Sequence, residues 1–535
     1  MIAHRLKAGT ALPLAAIALL TPGLASAQEK RLDVTPYIGV DQTVMAPLKG
    51  GGDVLTFTNV NAGLTAQVQN RRVEASIDLQ YNHNFSWDDR VADQDQLSGI
   101  ANASFHVARG LSINTGGIAS RIRTDGLSGA QAFADDGYTS QMYAGYIGPS
   151  YATKVGDFDI GASYQLGYAR VNDSVSANSV NGQPLGGSFA DSWTHSLTGS
   201  VGFAPDTVLP AIGLVASAGY DREDASQLDQ RYEDKWGRVD ATLPVSTTLA
   251  LVGGVGYEDM QIHQRSPVLD EDGVPVISDG RYVTDSSTPR ALVYDQDGLI
   301  WDAGVLWRPS RRMSATARVG QRYGGTTYSG SLVWEGRASS FGLFVFDGVD
   351  SFGRVITTDL AALSGSDLQV GRNPFTNDLT GCAFSTTGGG RCFNDALSGI
   401  TGANYRYRGV SGQWSTRYGP WSYGVGAGYS LRKFITASGE RVLIRGTKDQ
   451  NWYGNASVVY TISDSDSIDA VLYGNYFDAS GTRPDVLNYG ATTSYYKNIT
   501  RRLSAQASLG IDGVKSDDTD TQISAMGQVG MRYSF

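Results

Sequence analysis

The sequence predicts an all-β chain: a transmembrane antiparallel β-barrel of about 22 strands, between roughly 18 and 24. Three observations predict it. Alternating apolar and polar residues persist over segments longer than soluble strands. Connections switch between tight turns and long polar loops. The last segment is amphipathic and ends on an aromatic residue.

The alternation is clearest over residues 73–87. Val73, Ala75, Ile77, Leu79, Tyr81, His83, Phe85 and Trp87 share one face, and Glu74, Ser76, Asp78, Gln80, Asn82, Asn84 and Ser86 the other. Successive side chains of a strand point to opposite faces. Soluble strands usually run about 5–6 residues, whereas a lipid-spanning strand needs about 9–11 with one apolar face. Residues 158–168, 452–462 and 503–512 repeat the pattern, with Trp or Tyr near the ends as an interfacial girdle requires. A soluble sandwich or propeller would show shorter strands and more regular turns.

Asn70-Arg71, Arg109-Gly110, Gly156-Asp157, Pro309-Ser310, Gly419-Pro420 and Ser463-Asp464 read as tight turns. Long polar loops are expected around 125–137, 173–190, 263–289 and 436–448, with the longest near 350–402. Barrels of this class place short turns in the periplasm and long loops outside, and both chain ends in the periplasm make the strand number even. For directions to match, 328–349 must hold two strands with a turn at Arg337 to Ser340.

Residues 1–27 read as a cleaved export signal: Arg5 and Lys7, an apolar run from Ala11 to Leu20, then Ala25-Ser26-Ala27. The run is shorter than the roughly 20 residues of a spanning helix. One barrel domain is expected over 28–535, in the outer membrane with periplasmic termini. Losing Arg5 and Lys7 makes the net charge, −10 for the full chain, two units more negative. This charge argues against nucleic acid as a partner. Charged residues are 18% of the chain, below the roughly 25% of soluble domains.

The C-terminal run Gln528-Val529-Gly530-Met531-Arg532-Tyr533-Ser534-Phe535 places Val529, Met531, Tyr533 and Phe535 on one face. It resembles the signal by which the outer-membrane assembly machinery recognises a final strand, with Gln528, Gly530, Tyr533 and Phe535 at the matching positions. An edge strand of this kind can be bound by strand addition.

The opening Arg31-Leu32-Asp33-Val34-Thr35-Pro36-Tyr37-Ile38-Gly39-Val40-Asp41-Gln42-Thr43, the hairpin over 53–85 and the stretch Gly424-Val425-Gly426-Ala427-Gly428-Tyr429-Ser430 resemble a family of outer-membrane barrel porins. That family is associated with exosortase-type protein sorting and exopolysaccharide loci. The resemblance implies a barrel of unknown cargo and carries over no catalytic residue.

Chemistry-bearing motifs are sparse. His4, His83, His106, His195 and His263 lack metal-ligand spacing. No Gly-rich phosphate loop is followed by Lys. No catalytic residue, metal or cofactor is expected, and the chain is read as a non-enzyme. Asp88-Asp89, Asp135-Asp136, Asp270-Glu271-Asp272 and Asp517-Asp518 read as solvated outer loops, or as cation contacts beside lipopolysaccharide. Cys382 and Cys392 are the only cysteines; in an oxidising periplasm they are expected to be joined. Arg318, Arg322, Arg406, Arg408 and Arg432 are expected to face the lumen, because arginine facing lipid costs about 2–4 kcal/mol at the midplane. They form either a basic strip or a set neutralised across the lumen by acids such as Glu74 and Asp78.

Two functions follow. One is a porin-like conduit for solutes or an exported polymer, with lipid, lipopolysaccharide, the assembly machinery and a small solute or polysaccharide as partners. The other is a structural or assembly barrel that does not conduct. A TonB-dependent transporter needs a globular plug before its first strand, and strand signal here starts at once. Without such a plug, 22 strands leave either a wide pore or a lumen filled by loops.

Overall fold

The computed structural model describes residues 31–535 except 88–93, 124–138, 173–178, 181–182, 185–188, 279–280, 364–367, 387–388, 398–399, 436–447, 480–484 and 518–519. The export signal read at 1–27, Asp88-Asp89, Asp135-Asp136 and Asp518 lie outside the described residues.

Twenty-two strands form one antiparallel sheet that closes on itself. The first eleven are β1 (Arg31–Lys49), β2 (Leu55–Gln69), β3 (Val73–Ser86), β4 (Gln94–Ala108), β5 (Leu111–Arg123), β6 (Thr139–Val155), β7 (Phe158–Asn172), β8 (Asp191–Phe203), β9 (Gly213–Ala225), β10 (Gln230–Pro244) and β11 (Leu249–Gln264). The rest are β12 (Ala291–Ser310), β13 (Met313–Arg322), β14 (Gly325–Glu335), β15 (Ser339–Asp350), β16 (Asn404–Tyr418), β17 (Trp421–Ile435), β18 (Lys448–Thr461), β19 (Asp466–Ala479), β20 (Val486–Asn498), β21 (Leu503–Ser516) and β22 (Gln522–Ser534). The two strands expected within 328–349 are β14 and β15, turning at 336–338.

Closure follows from the solvent. Hydrocarbon offers no partner for backbone N–H and C=O groups, so a spanning sheet must have no free edge. β22 pairs with β1 from Tyr37↔Ser534 to Lys49↔Ile523, and the Phe535 N–H donates to the Pro36 carbonyl at 3.0 Å. Arg31 and Phe535 lie at the rim of the short turns, and the long connections lie at the other.

The alternation sets the two faces. On β1, Val34, Ile38, Val40 and Val44 are exposed to the outside, while Tyr37, Thr43 and Met45 are buried inside. Two aromatic belts bound the apolar band. Trp421 stacks near Tyr460 (4.3 Å between centroids) toward the short-turn rim. Tyr429, Trp452 and Tyr476 form a row, at 5.1 and 5.4 Å, toward the long-loop rim. From 421 to 429 the strand climbs roughly 20 Å, at about 3.3 Å per residue and about 40° of tilt, close to the ~25 Å band of outer-membrane barrels.

At the long-loop rim, connection 265–290 folds back as a small hairpin over Val268, Val276 and Val283. Asp229 clamps its base, accepting from Arg265 at 2.8 Å and Arg290 at 2.6 Å. Burial alone would raise the Asp229 carboxyl, but the hydrogen bonds and charges of the two arginines outweigh it and hold it below the usual carboxylate range. A depressed folded value means the clamp contributes fully above the ordinary carboxylate pKa, about 4, and is lost as pH falls through the lower folded value. Hydrogen exchange in 266–278 should therefore rise only at strongly acidic pH, and Asp229→Asn should show the fast rate already at pH 7. Equal exchange in the two proteins at pH 7 would contradict the clamp.

Phe535 packs edge-on against Tyr533 at 5.3 Å on the lipid face of the closing strand. Phe535→Ala removes roughly 1.5–3 kcal/mol of apolar contact there. The heat-modifiable fraction on unboiled gels should fall, and undiminished levels would show that this contact does not support closure.

Candidate functional site

The site is the lumen, and the segment between β15 and β16 fills much of it. Residues 351–403 carry a helix, α1 (Phe352–Ala362), a three-stranded sheet (Gln369–Arg372, Leu379–Phe384, Arg391–Cys392) and a short helix, α2 (Asn394–Leu397). The sequence places this stretch in an outer loop; the structure lays it inside the ring, against walls on both sides.

α1 begins at Ser351, whose Oγ accepts from the Arg354 N–H at 3.2 Å. Such a cap satisfies one of the free amides at a helix start. Phe352, Val355, Ile356 and Leu360 recur at helical spacing and are all buried. They pack on Ile100, Ile118, Met142, Ala144, Tyr146, Ala169 and Val171 from β4 to β7. This explains why the inner wall there turns apolar: Gly161, Ser163 and Gln165 on the inner face of β7 give way to Ala169 and Val171. Gly167 makes room for Thr357, whose methyl carbon would stand 2.8 Å from an added Cβ.

Arg354 is the polar anchor of α1. Its guanidinium donates to Glu223 (2.7 Å), Asp350 (3.3 Å) and Asn404 (3.2 Å) and lies 3.6 Å over the Tyr232 ring. Burial favours deprotonation, but the Glu223 and Asp350 carboxylates outweigh it and hold Arg354 charged, above its ordinary value. Ser351 donates to the same Glu223 at 2.5 Å.

The hairpin tip 373–378 reaches the wall on β1–β5 and on β19, β21 and β22. Asp378 accepts from Arg121 (2.9 Å) and Gln96 (2.7 Å), and Arg372 pairs with Asp78 (2.6 Å). Phe375 is buried among Met45, Phe57 and Met526, beside Gly510. Gln528 donates to the Pro374 carbonyl at 2.9 Å. Cys382 and Cys392 are joined across the small sheet. Their sulfurs would stand 2.8 and 2.6 Å from a Cβ at Gly426, and Phe384 2.7 Å from one at Gly424. The glycine stripe on β17 is thus the seat of the disulfide.

The expected basic strip divides. Arg318, Arg322 and Arg432 face the lumen and are neutralised, by other acids than Glu74 and Asp78. Arg318 and Arg238 interlock with Asp240 and Asp302 at 2.7–2.8 Å. Arg322 pairs with Glu258, and Arg432 with Asp449 at 3.4 Å. Asp78 instead serves the plug.

Arg406 and Arg408 correct the expectation. They share a face of β16 with the exposed Trp414, while Tyr405 and Tyr407 share the inner face with Gln413 and Ser415, which bond to the plug. Pairing of β14 with β15 stops at Gly330↔Val345, although β15 and β16 stay paired to Asp350↔Tyr405. The freed ribbon bends over the lumen, and Val349 packs on Tyr232, Met260 and Ile262 of β10 and β11. Arg406 and Arg408 thereby lie against β14 and pair with Asp347 at 2.9 and 3.1 Å. The bend turns them from lipid toward the inner wall, on the same face by which Val349 meets Tyr232 and Met260.

Sequence reasoning missed Arg354, Glu223, Arg372, Phe375 and Asp378. A helical repeat inside an assumed loop and apolar residues on both faces of β5–β7 were the available signals. Among the described residues no group of three or more His, Cys, Asp or Glu is placed to hold a metal ion. His83 and His195 pair instead with Asp95 (2.7 Å) and Tyr164 (2.8 Å).

No family model matches the chain, and no curated protein matches it. Solved structures do. The FrpB iron transporter from Neisseria meningitidis aligns over 94% of this chain and 83% of its own, at 11% identity and TM-score 0.41. The ferric-catecholate import receptor Fiu from E. coli K12 aligns over 93% and 81%, at 11% and 0.43. The copper transporter OprC aligns over 95% and 81%, at 11% and 0.40. This level of likeness assigns no cargo.

Arg354→Met should loosen the plug, because it strands Glu223 and Asp350 without their cation. Breaking one partner of a buried pair costs about 3–5 kcal/mol. Hydrogen exchange across 352–362 should accelerate while the strands stay protected. Gly426→Leu should do the same around 379–384 by displacing the disulfide. Unchanged protection in both variants would show that neither contact holds the plug.

Proposed function

We propose that the protein is an outer-membrane conduit for small solutes, with periplasmic termini, held narrow by its own 351–403 segment. The observation that supports this reading most is the division of the lumen wall. The plug touches β1–β9, β15–β19, β21 and β22, and reaches the end of β10 where Arg354 lies over Tyr232. The Arg238–Asp240–Asp302–Arg318 quartet on β10, β12 and β13 keeps its hydrogen bonds within the wall. A strip of paired charges beside a plug suits passage of hydrated solutes, since fixed charges of both signs line the path without a net trap. An exported polymer stands as the alternative cargo, and association with exosortase-type sorting and exopolysaccharide loci goes with it. They rest on the likeness of residues 31–43 and 424–430. Recognition of Gln528, Gly530, Tyr533 and Phe535 by the assembly machinery belongs with it.

The extent of the plug favours a second reading, a barrel that does not conduct. Planar-bilayer recordings of the protein and of a variant with 352–402 replaced by a short Gly-Ser linker decide between them. A conduit should give small openings that grow several-fold in the variant. Silence in the protein with large openings in the variant would support the structural barrel, and silence in both would overturn the conduit.

A further inference from the structure

The β14–β15 seam is short. Its register runs only from Gly330↔Val345 to Glu335↔Ser340, whereas β13–β14 runs from Met313 to Arg322 and β15–β16 from Ser339 to Asp350. Above Gly330 two strand edges face each other unpaired. An unpaired edge presents bare N–H and C=O groups. On β14 and the turn before it the guanidinium groups supply the missing partner: Arg406 and Arg408 both donate to the Thr326 carbonyl at 3.1 Å, and Arg406 to that of Tyr323 in the turn at 3.4 Å.

A cavity of about 380 Å³ adjoins this gap. It is lined by Phe344 and Phe346 and also by Val345 and Asp347. Neighbouring residues of a strand point to opposite faces. A space touching both sets lies at the free edge of β15, beside the gap in the seam. Gly330, the last paired residue of β14, lines it as well, one outward step below the exposed Tyr328. Tyr at that height marks the membrane interface. The inner end is closed by Thr358 of α1, exposed on the helix, and by Arg391.

The charges are distributed unequally. Asp347 is spanned by Arg406 and Arg408, and Asp350 by Arg354. Asp359 is engaged as well. Arg391 lies 4.2 Å over the Phe344 ring and has no ion pair among the described residues. We propose that this cavity is a binding site for a single-chain carboxylate amphiphile, such as a fatty acid, that enters from the bilayer through the β14–β15 gap. The chain lies along Phe344, Phe346 and Val345, and the carboxylate meets Arg391. The volume falls within the range of small-ligand pockets, about 300–1,000 Å³. Binding here is independent of solute conduction.

The full-length protein in phosphatidylcholine nanodiscs, exposed to a diazirine-bearing palmitic acid and mapped by peptide mass spectrometry, tests this. Label should concentrate in 344–358 and 390–392 relative to lipid-facing β3. Thr358→Trp, which fills the cavity from an exposed helix position, and Arg391→Ala should each lower it about tenfold, equivalent to about 1.4 kcal/mol. Both variants should keep the heat-modifiability of the parent, which shows that the barrel is folded. Label no denser than on β3, or unchanged by Thr358→Trp, would overturn the site. Loss with Thr358→Trp but not with Arg391→Ala would overturn the carboxylate class.

Discussion

The structure depends on one constraint: in hydrocarbon, every backbone donor and acceptor must find a partner within the sheet. This forces β22 onto β1, and it makes each strand amphipathic, because one face meets lipid and the other water or protein. The ring is then too wide for its own side chains to fill. A 22-stranded circumference leaves a lumen that other barrels of this size plug. Here the filling comes from within the strand order, between β15 and β16, and the inner wall has adapted to it. Where α1 lies the wall is apolar, where the hairpin tip lies it is polar and charged, and where the disulfide lies it is glycine.

The same constraint explains the irregular part of the wall. β13 and β14 are shorter than their neighbours, so the sheet loses height between β12 and β15. The ribbon of β15 and β16 cannot remain as a free edge beside lipid, and it leans inward. Its arginines are thereby turned toward carbonyls that would otherwise have no donor. One bend thus removes two charges from the lipid face, covers the free carbonyls of Tyr323 and Thr326, and brings Val349 to the apolar cluster on β10 and β11.

Period-two patterning made the ring legible in the sequence, down to the two strands within 328–349, because lipid imposes the alternation strand by strand. Arg318, Arg322 and Arg432 were legible for the same reason: on strands that stay in the wall, the cost of lipid exposure sends them inward. Arg406 and Arg408 were not, because a strand that leaves the wall offers a third environment that periodicity cannot express. The plug was missed since a helix seated on an inner wall looks, one segment at a time, like a polar loop beside an ordinary strand. Its signature lies in the pairing of two distant anomalies, the spacing of Phe352, Ile356 and Leu360 and the apolar inner residues Ile118, Met142 and Val171.

Both tethers of segment 351–403 leave the ring side by side, from adjacent strands. A plug that precedes a barrel hangs from one thread and can be drawn out along the axis. This one is a flap on a double hinge. Its two attachment points are fixed beside each other on one side of the ring. The contacts with most leverage are those farthest from the hinge, on β4 to β7, where α1 is held by apolar surface rather than by charge. Such surface has no preferred direction, and the orientation there comes from the hairpin tip, where Asp378 meets Arg121 and Arg372 meets Asp78. Arg354, which sits three residues into the segment, is the pin beside the hinge.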